Sequence, residues 1–164
     1  MDSLTITSIC EDNYNNLWVS TSEGPICKIE TQTGEEIIYN SDQWLNNANK
    51  LYFDSKNTMW LLNNQSIGTI DLKTMKYEKK YDGFLFTEFR NVFEDENNNL
   101  WFAAEGLLYY DRNKDVFQNF KHNRGDYTSI SSNVIQALYI DNNGGFWVGN
   151  DIDGVDYCKM DDCK

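Results

Sequence analysis

Short apolar runs alternate with polar segments rich in Asn, Asp and Gly along the whole chain. No stretch keeps apolar residues at three- and four-residue spacing for three helical turns. This pattern predicts β-strands joined by tight turns. Four segments align without gaps: EDNYNNLW at 11–18, FDSKNTMW at 53–60, EDENNNLW at 94–101 and IDNNGGFW at 140–147. Each carries an Asp six residues before a Trp: Asp12 and Trp18, Asp54 and Trp60, Asp95 and Trp101, Asp141 and Trp147. The indoles stand 42, 41 and 46 residues apart, so four of the five Trp occupy one slot of a repeat.

The repeat predicts its own strands. An apolar run precedes each Asp, at 6–10, 50–53, 91–93 and 134–140. The polar stretch from Asp to Trp holds an Asn or Gly pair in three of the four repeats and reads as a hairpin turn. Trp opens a second strand, WVST, WLLN, WFAA or WVGN. A third strand ends in an apolar residue followed by an acid: Ile29 and Glu30, Ile70 and Asp71, Tyr110 and Asp111. Tyr157 and Cys158 hold those places in the fourth repeat, without the acid. Fourth strands are predicted at 36–39, 76–81 and 116–120. Every connection is short, so the strands pair as antiparallel meanders.

A forty-odd-residue period over four short strands is that of a propeller blade. The predicted fold is all-β: a partial β-propeller of about four blades, each a four-stranded antiparallel meander, at about 5–40, 46–81, 88–120 and 133–159. The stretch after Lys159 is too short for a fourth strand, so the last blade is expected to be incomplete and the strand count fifteen. Each blade of a propeller buries its faces against two neighbours. Terminal blades then leave apolar faces and strand edges open, and the chain is expected to self-associate through them or to be completed by the rest of a parent propeller.

Composition narrows the partners. The 164 residues are 40% hydrophobic and 15% aromatic, which excludes a disordered chain. With 26 acids against 14 basic residues the formal charge is −12, and such a surface repels phosphate backbones and anionic lipid. Nucleic acid and membrane contact are therefore not expected. No stretch nears the roughly 20 apolar residues of a membrane span. MDSLTITSIC has neither a basic nor an apolar signal region, leaving a cytoplasmic protein or a segment of a longer secreted chain. Cys10 and Cys27 fall on first and third strands, about 9–10 Å apart, beyond the ~7 Å reach of a disulfide, and are expected as two free, buried thiols. Cys158 and Cys163 are close enough in sequence either to bridge or to stay unpaired.

The order of apolar strand, Glu-Asp, four residues, Leu-Trp and a Gly-Leu…Tyr-Asp strand resembles the two-component regulator propeller repeat. The resemblance covers nearly the whole chain. It is closest in EDENNNLWFAAEGLLYYDRN (94–113) and in YTSISSNVIQALYIDNNGGFWVGNDIDGVDY (127–157), which includes the Ser-Ile-Ser-x-Asn-Val approach at 129–134. The second repeat departs from it with WLLNNQSIG, and the first with Pro25 where Leu is common. That family builds the periplasmic sensor region of hybrid two-component systems, especially in Bacteroides-like gut bacteria. The resemblance implies a fragment of a longer, membrane-anchored sensor domain. Its role would be ligand sensing in the periplasm, with an oligosaccharide as signal and a histidine kinase elsewhere in the parent. It implies no catalytic site, cofactor or metal in this segment. The alternatives are a protein-docking propeller without a small ligand and, from a third class, a propeller lyase or glycosidase.

The repeated Asp and Trp read as structural, the Asp closing a turn and the Trp wedging blade against blade. Asp95, Asn97 and Asn99 suggest a calcium loop, but Leu100 stands where such a loop needs Gly and Gly106 where it needs an acid. The links from fourth to first strand share a face with the loops between second and third strands, and by fold analogy that face binds. Its candidates are Trp44, Asn64, Gln65, Phe84, Glu105, His122, Arg124 and Asp151. An aromatic ring beside planar amides, acids and a guanidinium suits a sugar. His122 is the only His, which excludes a two-His metal site and leaves a Ser-His-Asp triad without support. Arg124-Gly125-Asp126 reads as a turn.

Overall fold

The computed structural model describes residues 5–22, 24–39, 48–84, 89–151 and 154–159. Among them are fifteen strands and no helix. The first blade is β1 (Ile6–Glu11), β2 (Leu17–Thr21), β3 (Ile26–Glu30) and β4 (Glu35–Tyr39). The second is β5 (Lys50–Phe53), β6 (Met59–Leu62), β7 (Ser66–Asp71) and β8 (Lys76–Asp82). The third is β9 (Val92–Glu94), β10 (Leu100–Ala104), β11 (Gly106–Asp111) and β12 (Val116–Phe120). The last holds β13 (Ile135–Ile140), β14 (Gly145–Asn150) and β15 (Val155–Lys159). Each sheet is an antiparallel meander in chain order, four-stranded three times and three-stranded once. The fold is a partial β-propeller.

One device, repeated four times, makes the first hairpin of every blade. Asp12 accepts the backbone N–H of Tyr14 and of Asn16 on one carboxylate oxygen, each at 2.9 Å, and the Trp18 indole N–H on the other at 2.9 Å. Asp54 does the same with Lys56, Thr58 and Trp60, at 3.0, 2.7 and 2.9 Å. Asp95 takes Asn97 and Asn99 at 2.9 Å and Trp101 at 3.3 Å, and Asp141 takes Asn143 and Gly145 at 2.8 Å and Trp147 at 2.9 Å. The residue three after each Asp has positive φ: Asn15 at 62°, Asn57 at 59°, Asn98 at 64° and Gly144 at 73°. Asn tolerates that left-handed region better than other non-glycine residues, and Gly adopts it without a Cβ penalty. A three-residue loop with a left-handed last position suits the right-handed twist of the flanking strands.

The cores sit between successive blades. Two units divide the chain at residues 1–88 and 89–164, and each holds one such core. In the first unit Trp18 stacks on Tyr39 at 5.5 Å and meets Phe53 of the second blade at 5.8 Å, over Leu51, Met59 and Leu61. In the second unit Trp101 meets Tyr109 at 4.5 Å and Phe146 of the last blade at 4.9 Å, over Leu138 and Val148. The residue ten before the Trp also reaches across in both units: the Leu51 N–H donates to Ser8 Oγ at 3.2 Å, and Asn91 donates to the Leu138 carbonyl at 3.3 Å. Burying an indole removes roughly 150–250 Å² from water, about 4–6 kcal/mol as an upper figure. An unsatisfied indole N–H would cancel about 1–3 kcal/mol of it. The Asp is what lets the indole be buried whole.

Several boundaries differ from expectation. The second strand of each blade starts before its Trp, because Leu17, Met59 and Leu100 pair with Ile29, Ile70 and Tyr110, and Gly145 with Lys159. Val134 is not part of β13; it bridges Glu105 in the third blade. Cys10 and Cys27 are free, as expected, but half-buried rather than buried: Cys10 packs at the edge of the Trp18 core, and Cys27 lies beside Val19 on the opposite face of the sheet. Burial still pushes the Cys10 thiol up to about 12. Cys158 is disulfide-bonded; Cys163 lies outside the described residues.

Burial, the largest influence on Asp12, pushes its carboxyl up, but the bonds from Trp18, Asn16 and Tyr14 together outweigh it and hold the group below its ordinary value. The Trp147 indole, then the amides of Gly145 and Asn143, lower Asp141. A carboxyl depressed in the folded state takes its proton after the unfolded chain does. Its stabilising contribution is therefore complete above about pH 4 and drains away as pH falls through the folded value. The melting temperature is expected to fall most steeply below about pH 4, and an Asp12→Asn/Asp141→Asn double variant to flatten that slope. At neutral pH Asp12→Asn sets an amide N–H₂ or a weaker acceptor against the buried Trp18 indole, a loss of about 1.5–3 kcal/mol, or roughly 3–12 °C by thermal melt. Asp141→Asn is expected to cost less, because Trp147 is 40% exposed and water can replace the carboxylate.

Candidate functional site

Meander topology places the β2–β3 type of loop and the links between blades at one end of each sheet, opposite the Asp turns. The turn end is closed by the Asp carboxylates. The loop end carries polar side chains held by neighbouring loops.

In the first unit Asn64 and Gln65 form the β6–β7 loop. The Asn63 side chain closes it by accepting the N–H of Gln65 at 3.0 Å and of Ser66 at 2.9 Å. The link to this blade docks on the same loop, with the Asn49 N–H on the Leu62 carbonyl at 2.9 Å and its side-chain amide on Asn64. An open groove of about 440 Å³ is lined by Gln65, Ser66, Lys79, Asp82, Gly83 and Phe84. It brings Gln65 and Phe84 together. Phe84 is, however, 7% exposed and packed on Tyr81 at 5.3 Å, so its ring serves as the groove's wall and not as an open stacking platform. Trp44 lies outside the described residues.

In the second unit the link at 121–134 folds back on the third blade. Gly106, at φ 91°, donates its N–H to the Asn133 carbonyl at 2.8 Å, and a Cβ there would lie 2.7 Å from the Phe120 carbonyl oxygen. The Asn133 side chain accepts the His122 N–H at 2.7 Å, and His122 Nδ1 sits 2.8 Å from the Ile130 carbonyl oxygen, which makes Nδ1 the protonated nitrogen. Glu105 pairs with Lys121 at 3.1 Å, half-exposed on both sides. Asp151 accepts from Ser132 at 3.3 Å. Glu105, His122 and Asp151 are thus all tied to the one link. Arg124 is exposed beside a turn in which Asp126 N–H donates to the Asn123 carbonyl at 2.9 Å, the expected setting for Arg124-Gly125-Asp126. Thr128, bonded to the Asp126 carboxylate through its side chain and backbone, lowers that group's pKa.

Sequence reasoning missed Asn63, Lys121 and Asn133. Asn133 had a signal, as the Asn of the Ser-Ile-Ser-x-Asn-Val approach. Chemically the loop end offers amides, carboxylates and a lysine to hydroxyl groups. The contacts of His122 pair it with backbone and an amide, and none makes a nucleophile–base couple. Among the described residues no group of three His, Cys, Asp or Glu could hold a metal ion, and no helix is long and apolar enough to cross a membrane. A second cavity, about 580 Å³, lies at the turn end between Phe93–Asn97 and Ile140–Gly144, and its Asp95 and Asp141 are already spent on their turns.

Residues 1–23 and 129–151 match the two component regulator propeller family. Among curated proteins none matches. The fold recurs in the extracellular domain of a candidate hybrid two component system from B. thetaiotaomicron, at 20% identity over 96% of this chain and 22% of that one, with a TM-score of 0.75. A second such domain from the same organism matches at 23% identity, over 95% of this chain and 22% of that one, with a TM-score of 0.69. Virginiamycin B lyase from Staphylococcus aureus matches at 12% identity, over 95% and 56%, with a TM-score of 0.66. The chain thus spans about a fifth of the length of the two extracellular domains. The two segments matching the family share a detail: β1 and β13 both shift register twelve to ten residues before their Trp, between Ile6 and Ser8 and between Ile135 and Ala137.

Asn133→Ala removes the acceptor for the His122 amide and loosens the link that carries three candidates. The His122 amide is expected to exchange with deuterium about tenfold faster, while amides of β10 and β11 keep their protection.

Proposed function

We propose that this chain, built from two-component regulator propeller repeats, is a segment of the extracytoplasmic signal-input domain of a hybrid two-component sensor, and that its signal is an oligosaccharide. The observation that supports the class is the family match on 1–23 and 129–151, on segments that also share the Asp turn and the register shift. The likeness to extracellular domains of B. thetaiotaomicron systems agrees with a periplasmic setting. The ligand class rests on the loop end of each unit, Asn64 and Gln65 in the first and Glu105, His122 and Arg124 in the second, which present the planar donors and acceptors that sugar hydroxyls pair with. Binding there would act by favouring one arrangement of the parent's dimer over another, in proportion to the difference in affinity between the two.

The segment itself binds and does not catalyse in this reading. The likeness to a lyase extends to the fold, and His122 here is held by backbone and Asn133. A docking propeller for a protein partner is the competing reading, since the same polar loops would serve it.

A thermal-shift screen against plant and host glycans separates these. A glycan present at about a hundred times its Kd adds about 2.7 kcal/mol, or several degrees for a domain of this size. The expected result is a saturable rise with one glycan class that Glu105→Ala or Gln65→Ala diminishes. Flat melts across the panel would remove the sugar reading, and turnover of a glycan would replace binding with catalysis.

A further inference from the structure

The link at 121–134 carries Tyr127 at its tip, and this ring is fully exposed at 102%. Phe84 and Phe89, on the preceding link, are each 7% exposed. A single ring in water is ordinary on a loose loop, but this loop is braced. Asp126 N–H donates to the Asn123 carbonyl at 2.9 Å, and Ser129 N–H to the Asp126 carbonyl at 3.1 Å. Two β-turns thus follow one another, with Arg124 and Tyr127 each at the first corner of a turn, where a side chain projects.

The other side chains of the tip hold these turns. Asn123 Oδ1 accepts the Gly125 N–H at 3.1 Å, and Asp126 Oδ1 accepts the Thr128 N–H at 2.9 Å and its hydroxyl at 2.6 Å. The Ser129 hydroxyl joins the two turns, accepting the Asn123 N–H at 3.0 Å and donating to the Asp126 carbonyl at 2.8 Å. The base of the link is pinned by His122 on Asn133 and by the Ser131 N–H on Asp156 at 2.9 Å. Arg124 and Tyr127 take no part in this network, and neither bonds to another described residue. The tip is therefore rigid and presents two side chains that its own structure does not use.

Their surroundings choose between partners. Residues 121–128 are all exposed, and Tyr127 is the one apolar side chain among them. A protein interface needs an apolar centre within about 800 Å² on each side, which this tip lacks. A pyranose asks for the opposite: one ring against its C–H face, with polar groups around it for the hydroxyls. Tyr127 supplies the ring and, with two side-chain torsions, loses little freedom on binding. Arg124 brings five N–H donors, and Asp126 keeps a second carboxylate oxygen as acceptor. The charge of −12 opposes acidic sugars and favours a neutral one.

We infer that Tyr127 is the stacking platform, and Arg124 its hydrogen-bonding partner, for a neutral pyranose residue at the loop end of the second unit. The inference rests on the sensing reading and names the chemistry of its ligand. Because the turns are already fixed, little ordering opposes binding.

The test is calorimetric titration of the full chain with neutral oligosaccharides of glucan, xylan, galactan and mannan, and with acidic oligogalacturonates. One neutral class is expected to bind saturably. Tyr127→Ala and Arg124→Ala should each weaken it about tenfold, and Tyr127→Phe, which keeps the ring, should restore affinity to within about threefold. Proton NMR adds a readout that stacking alone moves. Sugar C–H signals should shift upfield with the unaltered chain and with Tyr127→Phe, and stay in place with Tyr127→Ala. Circular dichroism checks that each variant is folded, as their exposed positions lead one to expect. Binding that survives Tyr127→Ala but falls with Gln65→Ala overturns this inference and leaves the sensing reading standing. Binding of oligogalacturonates alone overturns the neutral assignment. No binding across the panel overturns both.

Discussion

The hydrogen bond from a Trp indole to the Asp six residues earlier is the constraint from which the rest of the structure follows. An indole offers a large apolar area and one obligatory donor. Burying it between sheets is favourable only if that donor is paired, and a carboxylate can be buried only if its charge is met by donors. Each solves the other's problem. Asp12, Asp54 and Asp95 are 5%, 2% and 5% exposed, and each takes its indole N–H on the carboxylate. Two backbone N–H groups and an indole N–H donate to each, and the side-chain amides of Asn16 and Asn99 donate as well to Asp12 and Asp95. The carboxylate that holds the indole on one oxygen sets the loop geometry with the other, so the hairpin and the interblade core are one object.

This arrangement divides the labour between the two ends of each sheet. At the turn end the repeated carboxylates are consumed by structure, Asp95 and Asp141 of its acidic cavity included. At the loop end the closing is done by Asn63 and Asn133 from the loops themselves, which leaves Asn64, Gln65, Glu105 and Arg124 with polar groups facing outward. A scaffold stiff at one end can carry varied loops at the other without loss of its core. That is the physical basis for proposing the loop ends, and not the Asp turns, as the candidate binding surfaces.

The period, the four Asp–Trp slots, the strand order and the three-stranded last sheet were legible in the sequence, because all depend on contacts within about forty residues. The Asx-rich turns were also legible, since left-handed positions favour Asn and Gly. The indole–carboxylate bond was not read, although both partners were singled out. Six residues apart, they meet only because the strand after the turn doubles back. The candidate residues were legible as loop positions, but their contacts were not: Phe84 turned inward onto Tyr81, and Asn133 proved to be the residue that holds His122.

By itself, then, the chain determined which residues repeat, what turn each Asp makes and that stacked meanders must result, since local hydrogen bonding and period-two patterning require nothing from distant parts. Tertiary structure alone decided which indoles are sealed. Trp18 and Trp101 are buried and Trp147 is not, with identical local chemistry, because burial depends on whether another sheet arrives to cover the face. That is a property of neighbours, and no single repeat encodes it.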